Sequence, residues 1–334
     1  MQFFKLYCDA ESRARIPLCN DTLELCLSYL LESRSNPNIS YTIFNDNLEG
    51  EFRETLQDIT TITQFHNGEK HGYFFSYRSD ELISEGYYQH GLKHGVFKEY
   101  KDVECVKRYV NDKLEGEVSE YDTKNKCLIL TTVLRGIEEG LKAIYIDAKI
   151  RELVDMHMGL EHGVHIGFHD NGQVKFITNR AYGKLHGKYL EFEEDGKLRL
   201  KYNYIHDKFE GPTYVWENDS VTVRYFSNGK NNGESIIIKN NRLHMIRTYE
   251  NCMLHGPAYI WYPNGNLAAY REYAYNEKHG NSFRWEKTGK IISIHEYDMG
   301  EVIFAYGPPE PSEPKPKHNS DYESESSDDS DSDS

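Results

Sequence analysis

KLHGKYLEF, residues 184–192, decides how the rest of the chain reads. Close copies recur as EKHGYFFSY (69–77), LKHGVFKEY (92–100), KLEGEVSEY (113–121), LEHGVHIGF (160–168), MLHGPAYIW (253–261) and EKHGNSFRW (277–285). Each has a glycine at its fourth position. With the less regular copies included, these anchors are Gly50, Gly72, Gly95, Gly116, Gly140, Gly163, Gly187, Gly211, Gly233, Gly256 and Gly280. Neighbouring anchors stand 21 to 24 residues apart, and a period so even is the mark of a tandem repeat.

Other positions keep step with the anchor. Four residues before it stand Asp46, Gly68, Gly91, Asp112, Gly136, Gly159, Gly183, Asp207, Gly229, Cys252 and Asn276. All but Cys252 are Gly, Asn or Asp, the residues that tolerate positive φ. Five residues after the anchor come Tyr77, Tyr100, Tyr121, Tyr145, Phe168, Phe192, Trp216, Trp261 and Trp285, with Thr55 and Ile238 in the other two copies. Three residues after it, Phe75, Leu190, Tyr214, Tyr259 and Phe283 are apolar too, and positions two apart share one face of a strand. A second turn signal, DNG, EDG, PNG or KTG, ends at Gly172, Gly196, Gly265 and Gly289. Each copy therefore reads strand, turn, strand, turn. Segments this short leave no room for a helical crossover, so the expected fold is all-β: an elongated, twisted antiparallel sheet of about eleven hairpins.

The G-x-x-x-G-x-(aromatic) start, as in Gly183–Gly187–Tyr189, together with the DG or NG mid-turn, resembles MORN repeats in their shorter variant. The resemblance runs over residues 46–304, and in overall style the chain is similar to MORN-repeat proteins of large DNA viruses of amoebae. It implies stacked hairpins acting as a protein-binding scaffold, with no cofactor and no catalysis. The family name also implies a membrane-associated alternative.

Composition narrows the partners. A net charge of −15 repels phosphate backbones and anionic lipid, so nucleic acid is excluded as a general partner and a membrane is disfavoured. The six cysteines, Cys8, Cys19, Cys26, Cys105, Cys127 and Cys252, contain no CxxC pair. With no signal-peptide pattern at the start and no apolar run of membrane length, the expectation is a cytoplasmic protein, in host cytoplasm or virion for a viral one.

No catalytic motif of the GxSxG, Walker or HExxH kind occurs. One residue before the anchor, His71, His94, His162, His186, His255 and His279 form a row, and Glu49, Glu115, Glu139 and Glu210 fill the same slot elsewhere. Equivalent residues two strands apart are roughly 9–10 Å from each other. Zinc ligands must come within about 2.0–2.1 Å of one ion, so the row reads as structural and no metal is expected.

The array has two flanks. Residues 1–45 are expected to be a partly helical segment, with Leu23, Leu27, Leu30 and Leu31 at helical spacing. Residues 16–31 have two readings: a helix capping the first hairpin, or a helix similar to the first one of an F-box, which would imply a Skp-type adaptor as partner. The later F-box helices are absent. Residues 46–306 form the array, and YDMGEVIFAY around Gly300 reads as a truncated end repeat. Residues 307–334, proline-rich and then acidic and Ser-rich, are expected to be disordered. Ser320, Ser326 and Ser330 each have an acidic residue three positions on, the pattern of acid-directed kinases.

Overall fold

The computed structural model describes residues 31–311 and contains strands and turns but no helix among them. It divides into two units, meeting at Leu160 and Glu161. In the first, strands run from Leu31–Asn36 to Lys149–His157. In the second they run from Leu160–Phe168 to Glu301–Tyr306. Within each unit consecutive strands pair antiparallel, the all-β hairpin architecture expected of the repeats.

The turns explain the repeat's fixed residues. At the turn before each anchor two successive residues have positive φ, such as Asn111 (51°) with Asp112 (64°) and His206 (49°) with Asp207 (65°). Two such residues define the type I′ hairpin, whose twist matches that of its strands. Cys252 fills the slot with φ 69°, and its Sγ accepts a hydrogen bond from the Asn231 N–H at 3.3 Å. At the same turn position the carboxylates of Asp112 and Asp207 and the carbonyl of Asn276 accept the N–H of Lys93, Leu185 and Leu254, in the preceding repeat. A main-chain bond accompanies each: Asp207 N–H donates to Leu185 O at 3.0 Å, and Gly300 N–H donates to Lys278 O at 2.8 Å. Gly300 thus continues the series past the last anchor.

The anchor glycine sits where the register slips. In the second unit Thr178 faces Tyr189 and Arg180 faces Leu185, so one residue on one strand opposes three on the other. Gly187, in the middle of those three, has φ 92°. All eleven anchors share the positive sign. A second slip precedes the aromatic position, as between Ile260 and Trp261, where Ala268 is the extra residue of the facing strand. Such bulges bend a strand and sharpen its twist.

The two faces of the sheet differ. Two residues past the anchor, Thr213, Ser235, Ala258 and Ser282 are all nearly inaccessible. They are small, and cross-strand pairing sets them between long side chains: Thr213 opposite Arg224, Ser235 between Arg224 and Arg247, Ala258 between Arg247 and Arg271, Ser282 between Arg271 and His295. In the first unit Phe97 and Val118 hold the same buried position. Gly86 lacks a side chain where a Cβ would run into the Phe97 ring.

Two boundaries differ from those read in the sequence. Strands begin at Leu31, not at residue 46, because Leu31–Asn36 and Ile39–Phe44 pair as a further hairpin. Its turn lacks the anchor glycine by which the repeats were aligned. The helix expected over residues 16–31 otherwise lies outside the described residues. At the other end the chain stays ordered past Tyr306: Gly307 (φ 86°) turns it back, and the Glu310 side chain is 2% exposed. Burial between cations holds a segment whose composition alone suggests disorder.

Candidate aromatic face

The residues five positions past the anchor, Tyr77, Tyr100, Tyr121, Tyr145, Phe168, Phe192, Trp216, Trp261 and Trp285, are all half-buried. They lie across the strand from the tightly buried position. Each tryptophan pairs with the ring two residues before it on the same strand: Tyr214–Trp216 with ring centroids 5.6 Å apart, Tyr259–Trp261 at 5.8 Å and Phe283–Trp285 at 5.8 Å. Tyr270, on the strand between the last two pairs, is 5.2 Å from Tyr259 and 6.0 Å from Phe283. Trp261, Tyr259, Tyr270, Phe283 and Trp285 therefore form one continuous run of rings. Face-offset and edge contacts of this kind contribute roughly 0.5–1.5 kcal/mol per pair beyond area burial.

Polar groups fix the run. The Tyr270 hydroxyl donates to Glu272 Oε1 at 2.6 Å, and Glu272 Oε2 accepts the Asn281 N–H at 2.7 Å. Burial, then the bond to Glu272 and its charge, push the Tyr270 hydroxyl up to about 12. The Lys201 ammonium lies 5.1 Å from the Tyr214 ring centroid, a cation–π distance. In the first unit Tyr100 donates to Glu85 at 2.9 Å, and the same oxygen takes a bond from Lys98 at 2.8 Å. The bonds from Lys98 and Tyr100 hold the Glu85 carboxyl below the usual carboxylate range.

The His-or-Glu slot has a shared task. Glu49, Glu115, Glu139 and Glu210 each accept the N–H of the first residue in the next repeat's I′ turn: Asn67, Arg135, Met158 and Asn228, at 2.8–2.9 Å. His162 Nδ1 accepts the Tyr182 N–H at 3.3 Å, and His279 Nδ1 accepts that of Met299 at 3.5 Å. Four of the histidines also pack their ring on that turn residue: His71 on His90 at 5.2 Å, His162 on Tyr182 at 4.5 Å, and His186 on His206 and His255 on Tyr275 at 5.1 Å. At His94 and His255 the buried Nδ1 makes no hydrogen bond. Among the described residues no three His, Cys, Asp or Glu side chains converge as a metal would require.

Ser320, Ser326 and Ser330 lie outside the described residues. The buried position two past the anchor escaped the sequence reading because its occupants, Phe, Val, Thr, Ser and Ala among them, share no residue type.

A family model described as the MORN repeat variant matches residues 185–206 and 254–275, both starting two residues before an anchor. This supports a MORN-repeat protein. That family is generally non-enzymatic, and the match indicates no catalytic family. No curated protein matches the chain.

Proposed function

We propose that this chain is a non-catalytic scaffold that binds a protein partner through the half-buried aromatic face, with the run from Trp261 to Trp285 as its centre. The observation that carries this reading is the division of labour between the faces. On one side the small residues and rings such as Tyr273 and Tyr297 are nearly inaccessible, while the three tryptophans stay partly accessible on the other. Aromatic side chains left accessible on a rigid surface are the usual hot spots of protein interfaces. Such a run costs little conformational entropy on binding, because neighbouring rings already fix one another.

The experiment is affinity capture from producing cells with two chains: wild type and a Trp216→Ser, Trp261→Ser, Trp285→Ser variant. Circular dichroism must first show both folded. A partner retained by the wild type and lost by the variant is the expected result. Undiminished capture by the folded variant would place binding elsewhere. A third chain lacking residues 1–30 keeps the Leu31–Phe44 hairpin and tests the adaptor alternative. A Skp-type protein lost only from that chain would favour the F-box-like reading of residues 16–31. Flotation with anionic vesicles tests the membrane alternative, for which the charge predicts no binding.

A further inference from the structure

The end of the second unit holds a charged pocket that the aromatic face does not use. Arg271 and His295 flank Ser282 on neighbouring strands, on the tightly buried face. Glu310 enters between them. Its Oε2 accepts from Arg271 Nε at 3.2 Å and from Lys278 Nζ, and its Oε1 accepts from Ser282 Oγ. His295 Nδ1 stands 4.0 Å from that same oxygen. Arg271 is 7% exposed and His295 3%. Beside the carboxylate, Arg284 Nη1 donates to Pro309 O at 3.4 Å. Burial would raise the Glu310 carboxyl, but the bonds from Lys278 and Ser282 and the charges of Arg271 and Lys278 outweigh it and lower it.

Two features suggest a recognition pocket more than a plain cap. First, it is built of preset donors for one carboxylate, on strands rather than loops, and a planar guanidinium is suited to that group. Second, Glu310 does not use everything on offer: His295 Nδ1 and Ser293 Oγ are buried there without a hydrogen-bond partner. The segment that delivers the glutamate is short, and Gly307 and two prolines turn it back onto the sheet. A ligand joined by such a tether competes at an effective concentration on the order of millimolar.

We propose that the Arg271–Lys278–Ser282–His295 pocket is a carboxylate-recognition site for a proline-flanked glutamate in a peptide segment of a partner protein, and that Glu310 occupies it in cis. The site shares with the scaffold reading only the premise that partners are proteins. It lies on the other face and stands or falls separately.

The test uses the full chain as wild type, Glu310→Gln and Glu310→Ala. The probe is a fluorescein-labelled peptide with the sequence of residues 307–317, followed by anisotropy. Circular dichroism and hydrogen exchange of the strands from Leu267 to Tyr306 establish folding. The Ala variant should bind the peptide at least about tenfold more tightly than wild type, because the tethered ligand no longer reduces the competent fraction. A peptide with glutamine at both glutamates should lose binding, and so should Arg271→Met added to the Ala variant. Trp216→Ser, on a strand remote from Leu267–Tyr306, combined with Glu310→Ala should bind as before, which separates this site from the aromatic face. No saturable binding to either folded variant would overturn the proposal, as would equal binding of the glutamine peptide or binding that survives Arg271→Met. Loss of the end strands in both variants would show Glu310 to be a structural strut and would overturn it as well.

Discussion

The alternation of His and Glu before the anchor glycine looks arbitrary until the atom it serves is known. The four glutamates, and His162 and His279 among the histidines, place an acceptor on the first N–H of the next turn. Glu139 does so for Met158, and its other oxygen lies 2.7 Å from His157 Nδ1. The Met158 N–H, then His157, hold the Glu139 carboxyl below its usual range. A depressed carboxylate stabilises the fold above its unfolded pKa of about 4.3 and loses that contribution as pH falls through the lower folded value. Replacing Glu139 by Ala should therefore lower the melting temperature at neutral pH and flatten its decline as the pH falls below about 4. Glu139→His should keep more of the neutral-pH stability than Ala. Melting curves across that pH range check both. The anchor glycine is held by conformation, as at Gly256, where φ is 88°. Nothing crowds a Cβ there, the nearest atom being 3.8 Å away on Thr248. Gly256→Ala should still cost about 1–2 kcal/mol for the left-handed backbone, seen as a lower denaturant midpoint.

The repeating element is one hairpin with its two turns, and most of it could be read from spacing alone. The Gly, Asn and Asp positions before the anchor do lie at positive φ, because only those types tolerate it cheaply; Cys252 shows that the geometry outranks the preference. The aromatic position was visible because its residues are large and alike. Its opposite, the buried row, was not, since Thr213, Ser235, Ala258 and Ser282 are small and unlike, and their burial depends on cross-strand neighbours such as Arg247 and Arg271. The Glu310 pocket was hidden for a related reason. Its members are up to 39 residues apart, and nothing in a lone Arg within LAAYREYA points to a glutamate in a proline-rich segment. The hairpin at Leu31–Phe44 escaped because it lacks the anchor. Elements built this way couple mainly to their neighbours. Trp261→Ala, a loss of up to about 3–5 kcal/mol for a packed ring, should loosen hydrogen exchange over roughly residues 233–304. Residues 161–205 should be unchanged. Loosening spread evenly over all strands would contradict a chain of nearest-neighbour units.

For the molecule as a whole, the proposed function gives recognition to the rings after the anchors, while the opposite face carries the most deeply buried residues. The protein carries its own probe of this. It has three tryptophans, Trp216, Trp261 and Trp285, and all stand at that one position. Their emission reports the aromatic face and no other surface. The decisive measurement is acrylamide quenching of that fluorescence, with and without a saturating amount of the partner isolated by capture. Binding should shift the emission to shorter wavelength and clearly lower the quenching, as the half-buried rings leave water. Unchanged emission and quenching with partner fully bound would contradict this, and would move the interface off the aromatic face.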